Sequence, residues 1–361
     1  MMCILSSLTQ ACNGQINKKE QASQTIRSTQ PAGTPARSDT DRLFFIDGQL
    51  CAWVRNMYED SRGHLWFGTN HYGVMHYGGD SLRYVGEEDG LGGGRLNGIL
   101  EDETGNVWFA TWGGLSKYDG NTFMNHPVQL GPVDNDLQCI YQDSRGIIWL
   151  GTLEGAVNFD GTTFEHFPLP AIAVRDTTSH LSYNRVSAIL EDRNGMFWFG
   201  TDGFGIRIYD PGSGSFAHVT ENTGFPDNNI SGLLEDTHGN IWIGTMYGGI
   251  SRFDPTSDTY THFTRGGVVR GEEIAGLYED KHGNIWFSAE NVGVYRFDGV
   301  GFTLYDKEDG LETLGILTIL EDREGRFWLG GWGGLFRYDP TGSLSTDGKK
   351  FVTIKKDGPW H

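Results

Sequence analysis

The sequence predicts an all-β, seven-bladed β-propeller with four antiparallel strands per blade, on three observations. A stretch of the form Glu/Gln-Asp-x-x-Gly-x-x-Trp recurs seven times: EDSRGHLWFGT (59–69), EDETGNVWFAT (101–111), QDSRGIIWLGT (142–152), EDRNGMFWFGT (191–201), EDTHGNIWIGT (235–245), EDKHGNIWFSA (279–289) and EDREGRFWLGG (321–331). Their tryptophans, Trp66, Trp108, Trp149, Trp198, Trp242, Trp286 and Trp328, are spaced by 42, 41, 49, 44, 44 and 42 residues, a period of propeller blades rather than of helical solenoids. Gly occurs 53 times in 361 residues, far above the average usage of about 7%, as many tight turns require.

Before the repeats, residues 1–12 (MMCILSSLTQAC) resemble the end of a bacterial lipoprotein signal, with Leu8-Thr9-Gln10-Ala11-Cys12 as a loose lipobox. The match lacks a basic leading region, and its apolar run is short. Residues 13–41 are rich in Gln, Ser, Thr, Pro and Ala and hold almost no large apolar side chain, so they read as a disordered tether. Residues 42–361 read as the propeller.

Each repeat divides into four strands. In the fifth copy SGLLED (231–236) reads as strand a, NIWIGT as strand b by alternation, GGISRFD (248–254) as strand c and YTHFT (260–264) as strand d. The Asp-x-x-Gly between a and b matches a hairpin loop in which Asp accepts from following amides and Gly takes the positive-φ position. Seven wedge-shaped sheets need a large flat filler between neighbours, and the tryptophans supply it. A residue repeated in every blade serves the scaffold, whereas a ligand or an acid/base pair uses special places, so the repeated carboxylates are read as structural. Turn histidines His64, His238 and His282 have no partners at metal-ligand spacing.

A ring must protect its first and last edges. DRLFFIDG (42–48) resembles strand d of other units and is expected to close the ring on the outer edge of blade seven, with KKFVTIKKDG (349–358) as its competitor.

With 28 basic and 47 acidic residues the formal net charge is −19, which disfavours nucleic acid or an anionic membrane as partner. Cysteines 3, 12, 51 and 139 have no C-x-x-C spacing, and Cys51 and Cys139 read as isolated buried thiols. No apolar run reaches the roughly 18 residues of a spanning helix. Neither cofactor nor metal is expected.

The repeats resemble those of the two-component regulator propeller family, whose repeat has the form I-x-E-D-x-x-G-N-I-W-x-G-T-x-x-G-G-I-x-x-Y-D, over residues from 42 to 358. The resemblance implies a periplasmic sensor of the kind joined to hybrid histidine kinases in Bacteroidetes-like bacteria and associated with carbohydrate fragments. No kinase core, receiver or DNA-binding segment occurs in the sequence. The expectation is therefore a stand-alone propeller that works by ligand binding or with a signalling partner in trans, placed in the periplasm, on the outer membrane through Cys12, or secreted.

The two propeller faces differ in sequence. The a–b and c–d turns are near copies, whereas the b–c loops and d–a connections change from blade to blade. These loops nominate a ligand face carrying Trp53, His71, Tyr72, Arg95, Asn97, Trp112, Tyr183, Arg185, Phe204, Asn228, Tyr247, Glu272, Glu290 and Trp332. Aromatic faces stack on apolar sugar faces, and amides, carboxylates and Arg satisfy hydroxyls. The insertion at 168–184 falls on this face as a lid or a tolerated excursion. The leading expectation is a carbohydrate or envelope-protein binder. A lyase or glycoside hydrolase with Asp134, Asp136, Arg185, Glu272 and Glu273 at the central funnel is the alternative, and a protein-interaction platform is the third.

Overall fold

The computed structural model describes residues 50–361 except 79–80, 129, 131–134, 173–183 and 314. Each repeat forms one four-stranded antiparallel sheet whose strands pair in chain order. In the fifth copy these are Ile230–Glu235, Ile241–Thr245, Ile250–Asp254 and Thr259–His262, within a few residues of the expected limits. Strand a of each blade touches strand a of the next, and that of blade seven touches that of blade one, so the seven sheets close a ring around a channel.

The repeated stretch is explained by two sets of hydrogen bonds. Asp236 accepts from His238 N at 3.0 Å and Asn240 N at 2.8 Å, which fixes the a–b turn, and from Trp242 Nε1 at 2.9 Å, which fixes the indole. The same Asp-to-indole bond spans 2.7–3.0 Å in the other six blades. All seven indoles are buried, so each brings its one donor to an anionic acceptor instead of leaving it unmatched. The preceding Glu acts between blades. Glu279 accepts from Thr237 N at 2.8 Å and Thr237 Oγ1 at 2.7 Å in the turn of the blade before, and Glu101, Glu191, Glu235, Glu321 and Glu59 do the equivalent. At the junction of blades two and three, Gln142 replaces Glu and donates to Gly146 O in its own turn. The motif is thus a turn, a wedge and an inter-blade latch.

Ring closure differs from the expectation. The outer edge of blade seven is filled by Phe351–Thr353 of the C-terminal segment, not by an N-terminal strand. Residues 42–47, like residues 1–41 with Cys12, lie outside the described residues. The physical reason lies in an aromatic pair. In blades two to seven an aromatic at or next to the end of strand c faces an aromatic at or next to the start of strand d, as Tyr118 faces Phe123 and Tyr338 faces Phe351, with ring centroids 4.7 and 5.0 Å apart. Phe351 is therefore the expected member of this series. Blade one has Leu82 at that place, opposite Tyr77. Trp360 supplies the missing ring by stacking on Tyr77 at 4.4 Å, between Phe67 and Trp328 of the two blades that meet there. The Glu59 latch to Arg323 N at 2.8 Å then completes the junction.

Candidate functional site

The site begins with a backbone irregularity. Strand a of blades one, two, four, five and seven is bulged at its second residue, so Val54 and Asn56 pair with Thr69 and Gly68 while Arg55 between them does not. A bulge turns the extra residue out of the ladder and re-aims its side chain. Here the re-aimed positions face the channel: Arg55, Asn97, Ser187, Ser231 and Leu317, with Gln138 and Ala275 at the matching places of blades three and six. Deeper down, Met57, Ile99, Ile140, Ile189, Leu233, Leu277 and Ile319 form an apolar collar. Between collar and mouth lies a cavity of about 430 Å³, within the range of about 300–1,000 Å³ usual for small-molecule sites.

The polar ring is lopsided. On the side of blades one to four, Arg55 donates to Asn97 Oδ1 and Asn70 Oδ1, both at 3.1 Å, and Asn97 donates to Leu137 O at 2.6 Å. Arg185 donates to Gln138 Oε1 at 2.9 Å, and Gln138 in turn donates to Asp136 Oδ1 at 2.9 Å. Arg185 also lies 3.6 Å from Asp202 Oδ2. Burial, and then the fields of Arg95 and Arg185, pull the Arg55 guanidinium down to about 10, with Asp136 opposing. Arg95 Nε is buried without a hydrogen-bond partner. Cys139, next along strand a, is a free thiol pushed up to about 12 by burial and is no nucleophile at neutral pH.

Beside this cluster stands an aromatic stack. The b–c loop of blade seven meets the connection into blade one through a bridge between Trp332 and Trp53, whose rings lie 5.6 Å apart and 12° from parallel. His71 also stacks on Trp53, with ring centroids 6.5 Å apart. Asn70 ties the two features together, because it accepts from Arg55 and its Nδ2 lies 2.8 Å from His71 Nε2.

The other nominated residues are dispersed around the face. Trp112 and Tyr247 sit on loop tips at 51% and 49% exposure, where unused surface is ordinarily polar. Trp112 lies over Gly93, where a Cβ would meet its ring at 2.2 Å. Tyr72 packs into the core between blades seven and one. Phe204 lies 5.0 Å beneath the Arg207 guanidinium. Asn228 is buried, and its Oδ1 accepts from Glu221 N at 2.9 Å, so it serves the turn. Glu272 is exposed on the connection into blade six. Tyr183 and Asp134 lie outside the described residues, as does most of the insertion. Its described start matters to the fold, because Pro170 O accepts from the buried Arg207 at 2.9 Å.

Five segments, residues 48–71, 131–154, 180–203, 224–247 and 310–333, match the two component regulator propeller family. The five segments, about a third of the chain, are matched as repeats of that family. Among solved structures, the extracellular domain of the hybrid two component system BT3049 from B. thetaiotaomicron is 24% identical and superposes with a TM-score of 0.69 over 84% of this chain. That of the one component system BT4673 from the same organism is 20% identical, with a TM-score of 0.57 over 79% of this chain. The regulator propeller spans 40% of the length of each. A streptogramin B lyase is also similar, at 14% identity and a TM-score of 0.59, over 81% of this chain and 94% of its own. At these identities the likeness concerns the fold. No curated protein sequence matches the chain.

Across the face from the arginines, the regulator propeller places two carboxyl groups together. Glu290 N donates to Glu273 O at 2.9 Å, which aligns the two residues. Burial, then the hydrogen bond and charge of Glu290, push the Glu273 carboxyl up to about 8, so the pair holds one proton at neutral pH. Among the described residues no group of three or more His, Cys, Asp or Glu could hold a metal ion, and no helix is long and apolar enough to cross a membrane. Arg55 and Gln138 are functional-site candidates that sequence reasoning missed. Their signal was the second position of strand a, which reads Arg, Asn, Gln, Ser, Ser, Ala, Leu around the ring while the position before it is Val, Leu or Ile in every blade.

Proposed function

We propose that this regulator propeller is a ligand-binding sensor module of the bacterial cell envelope, recognising a carbohydrate on its b–c/d–a face and acting through a signalling partner in trans. The observation that carries the reading is the Trp332–Trp53–His71 stack standing beside a polar, 430 Å³ channel mouth. Flat aromatic faces next to directional donors are what a sugar ring, apolar on its faces and hydroxylated at its rim, requires. The likeness to extracellular domains of two component systems supports an extracytoplasmic placement. Lipidation of Cys12 and a tether over residues 13–41 would hold the propeller at a membrane. Replacing Cys12 by Ser is expected to release the protein from membranes, and unchanged retention overturns the anchor.

The functional test is titration of the protein against a panel of plant and host oligosaccharides, followed by calorimetry. Binding of a defined glycan class that falls at least tenfold in Trp332→Ala supports the reading. Absence of any glycan binding, with capture of an envelope protein instead, moves the function to a protein-interaction platform.

A second reading has its own observation, the protonated Glu273–Glu290 pair. A carboxylic acid neutral at neutral pH suits a general acid. The pair is at hydrogen-bond distance, closer than the about 5 Å of retaining or the 6.5–9.5 Å of inverting glycosidases, so hydrolysis would require it to separate. Formation of new reducing ends or unsaturated products from any glycan that binds, abolished in Glu273→Gln, would establish it.

A further inference from the structure

Two guanidinium groups, those of Arg55 and Arg185, line one side of the channel cavity, and the charge of a third, Arg95, bears on Arg55, in a chain whose net charge is −19. Among the described residues two carboxylates, Asp136 and Asp202, answer these three guanidinium groups. The deepest of the three, Arg55, has two amide oxygens as its side-chain partners rather than a carboxylate. Arg95 carries an unmatched donor in the same place. Buried cations ordinarily have an anion or a full set of acceptors, and charge-assisted bonds to a planar carboxylate are the strongest that a guanidinium makes. The cavity supplies room for that anion, and the indole stack lies one residue pair away through Asn70.

We infer that the ligand is an acidic saccharide, a uronic acid unit whose carboxylate enters the channel mouth between Arg55 and Arg185, near Arg95, while a neighbouring ring lies on Trp332. The inference rests on the carbohydrate reading above and narrows it. The carboxylate replaces the missing acceptor of the arginine cluster. The indole stack holds the sugar faces, and Asn97 and Gln138 offer hydroxyl partners at the rim. An anionic group in this position also explains why the polar ring is long and basic on the side of blades one to four and small or apolar on the side of blades six and seven.

The test is calorimetric titration of the full chain with uronate-containing oligosaccharides, their methyl esters, sulfated analogues and neutral counterparts. The free acid is expected to bind at least tenfold more tightly than its methyl ester, and to weaken as salt is raised. Arg185→Gln, which lies at the rim and leaves the Arg55 amide bonds in place, is expected to remove most of that preference, and Arg55→Gln the rest. Equal binding of acid and ester overturns the inference and leaves the carbohydrate reading intact. Preference for the sulfated analogue over the carboxylate overturns it in favour of a tetrahedral anion. Binding of simple carboxylic acids without any saccharide overturns both. Should Arg55→Gln fail to fold, Arg185→Gln together with the ester comparison decides the matter.

Discussion

The two faces of this propeller are built on opposite principles. On the a–b turn face one solution is repeated seven times: an Asp that holds the turn and the indole, and in six junctions a Glu that latches the blade before it. On the b–c/d–a face each blade presents something different, from the Trp332–Trp53 stack to the Arg55 cluster and the Glu273–Glu290 pair. One carboxyl group from each face, Asp102 and Glu273, titrates in the opposite direction to the other. Burial works to raise Asp102, but hydrogen bonds from Thr104, Asn106 and Trp108 together outweigh it and bring the group down to about 2. Glu273, which faces another carboxyl instead of donors, goes up. Repetition marks what the fold needs, and departure from it marks where charge and aromatic surface are left for something else.

The comparison breaks most visibly at the ring seam, on the turn face. Trp360 is buried against Tyr77, Phe67 and Trp328, and Trp360→Ala is expected to cost about 3–5 kcal/mol, the usual range for truncating a buried large aromatic. Restoring the ring in strand d by Leu82→Phe should recover part of the loss, measured as the shift in denaturation midpoint. No recovery would mean that Trp360 does more than replace the absent aromatic pair. Asp236→Ala is next, at about 2–3 kcal/mol, because it strands the buried Trp242 N–H and two turn amides. Neither change should alter ligand affinity in protein that remains folded, since both lie on the other face.

This division also explains what could be read from the sequence. Seven copies of Asp-x-x-Gly-x-x-Trp specify the blade, since one local arrangement is selected seven times and the repeat is visible as spelling. The inter-blade latch of Glu279 to Thr237 was hidden, because its partners are 42 residues apart and belong to adjacent copies. Ring closure was misassigned for a related reason. DRLFFIDG has the composition of a strand d, but the deciding feature is a pairwise absence, the Leu82 in blade one that Trp360 compensates from nearly 280 residues away. At the site, the aromatics Trp53, Trp112, Tyr247 and Trp332 were legible as departures from the repeat. Arg55 was not, because a bulge, rather than a loop, turns it into the channel, and strand alternation gives no warning of that.

On the variable face the expected effects shift from stability to binding. Trp332→Ala removes a partly buried ring that stacks on Trp53, and is expected to change stability by less than about 1 kcal/mol while lowering glycan affinity at least tenfold. A large stability loss with unchanged affinity would make the stack a ring-closing device like Trp360 and erase the distinction between the faces.

The smallest effect, and the one that separates Asp102 from Glu273 by sign, is in pH. Asp102 is depressed in the fold, so its contribution is present above the unfolded value of about 3.9 and is lost as pH falls towards about 2. Glu273 is raised, so the folded chain holds a proton that the unfolded chain releases. Its protonated pair is fully compatible with the fold below about 4.3, and stability declines as pH rises from there through about 8. Glu273→Gln keeps a neutral side chain at every pH. Thermal melts of the wild type and this variant should therefore coincide near pH 4 and separate progressively up to pH 8, with the variant the more stable. A separation that instead grows towards acid would mean that Glu273 is held as a carboxylate by a cation, and the shared-proton geometry with Glu290 would be wrong.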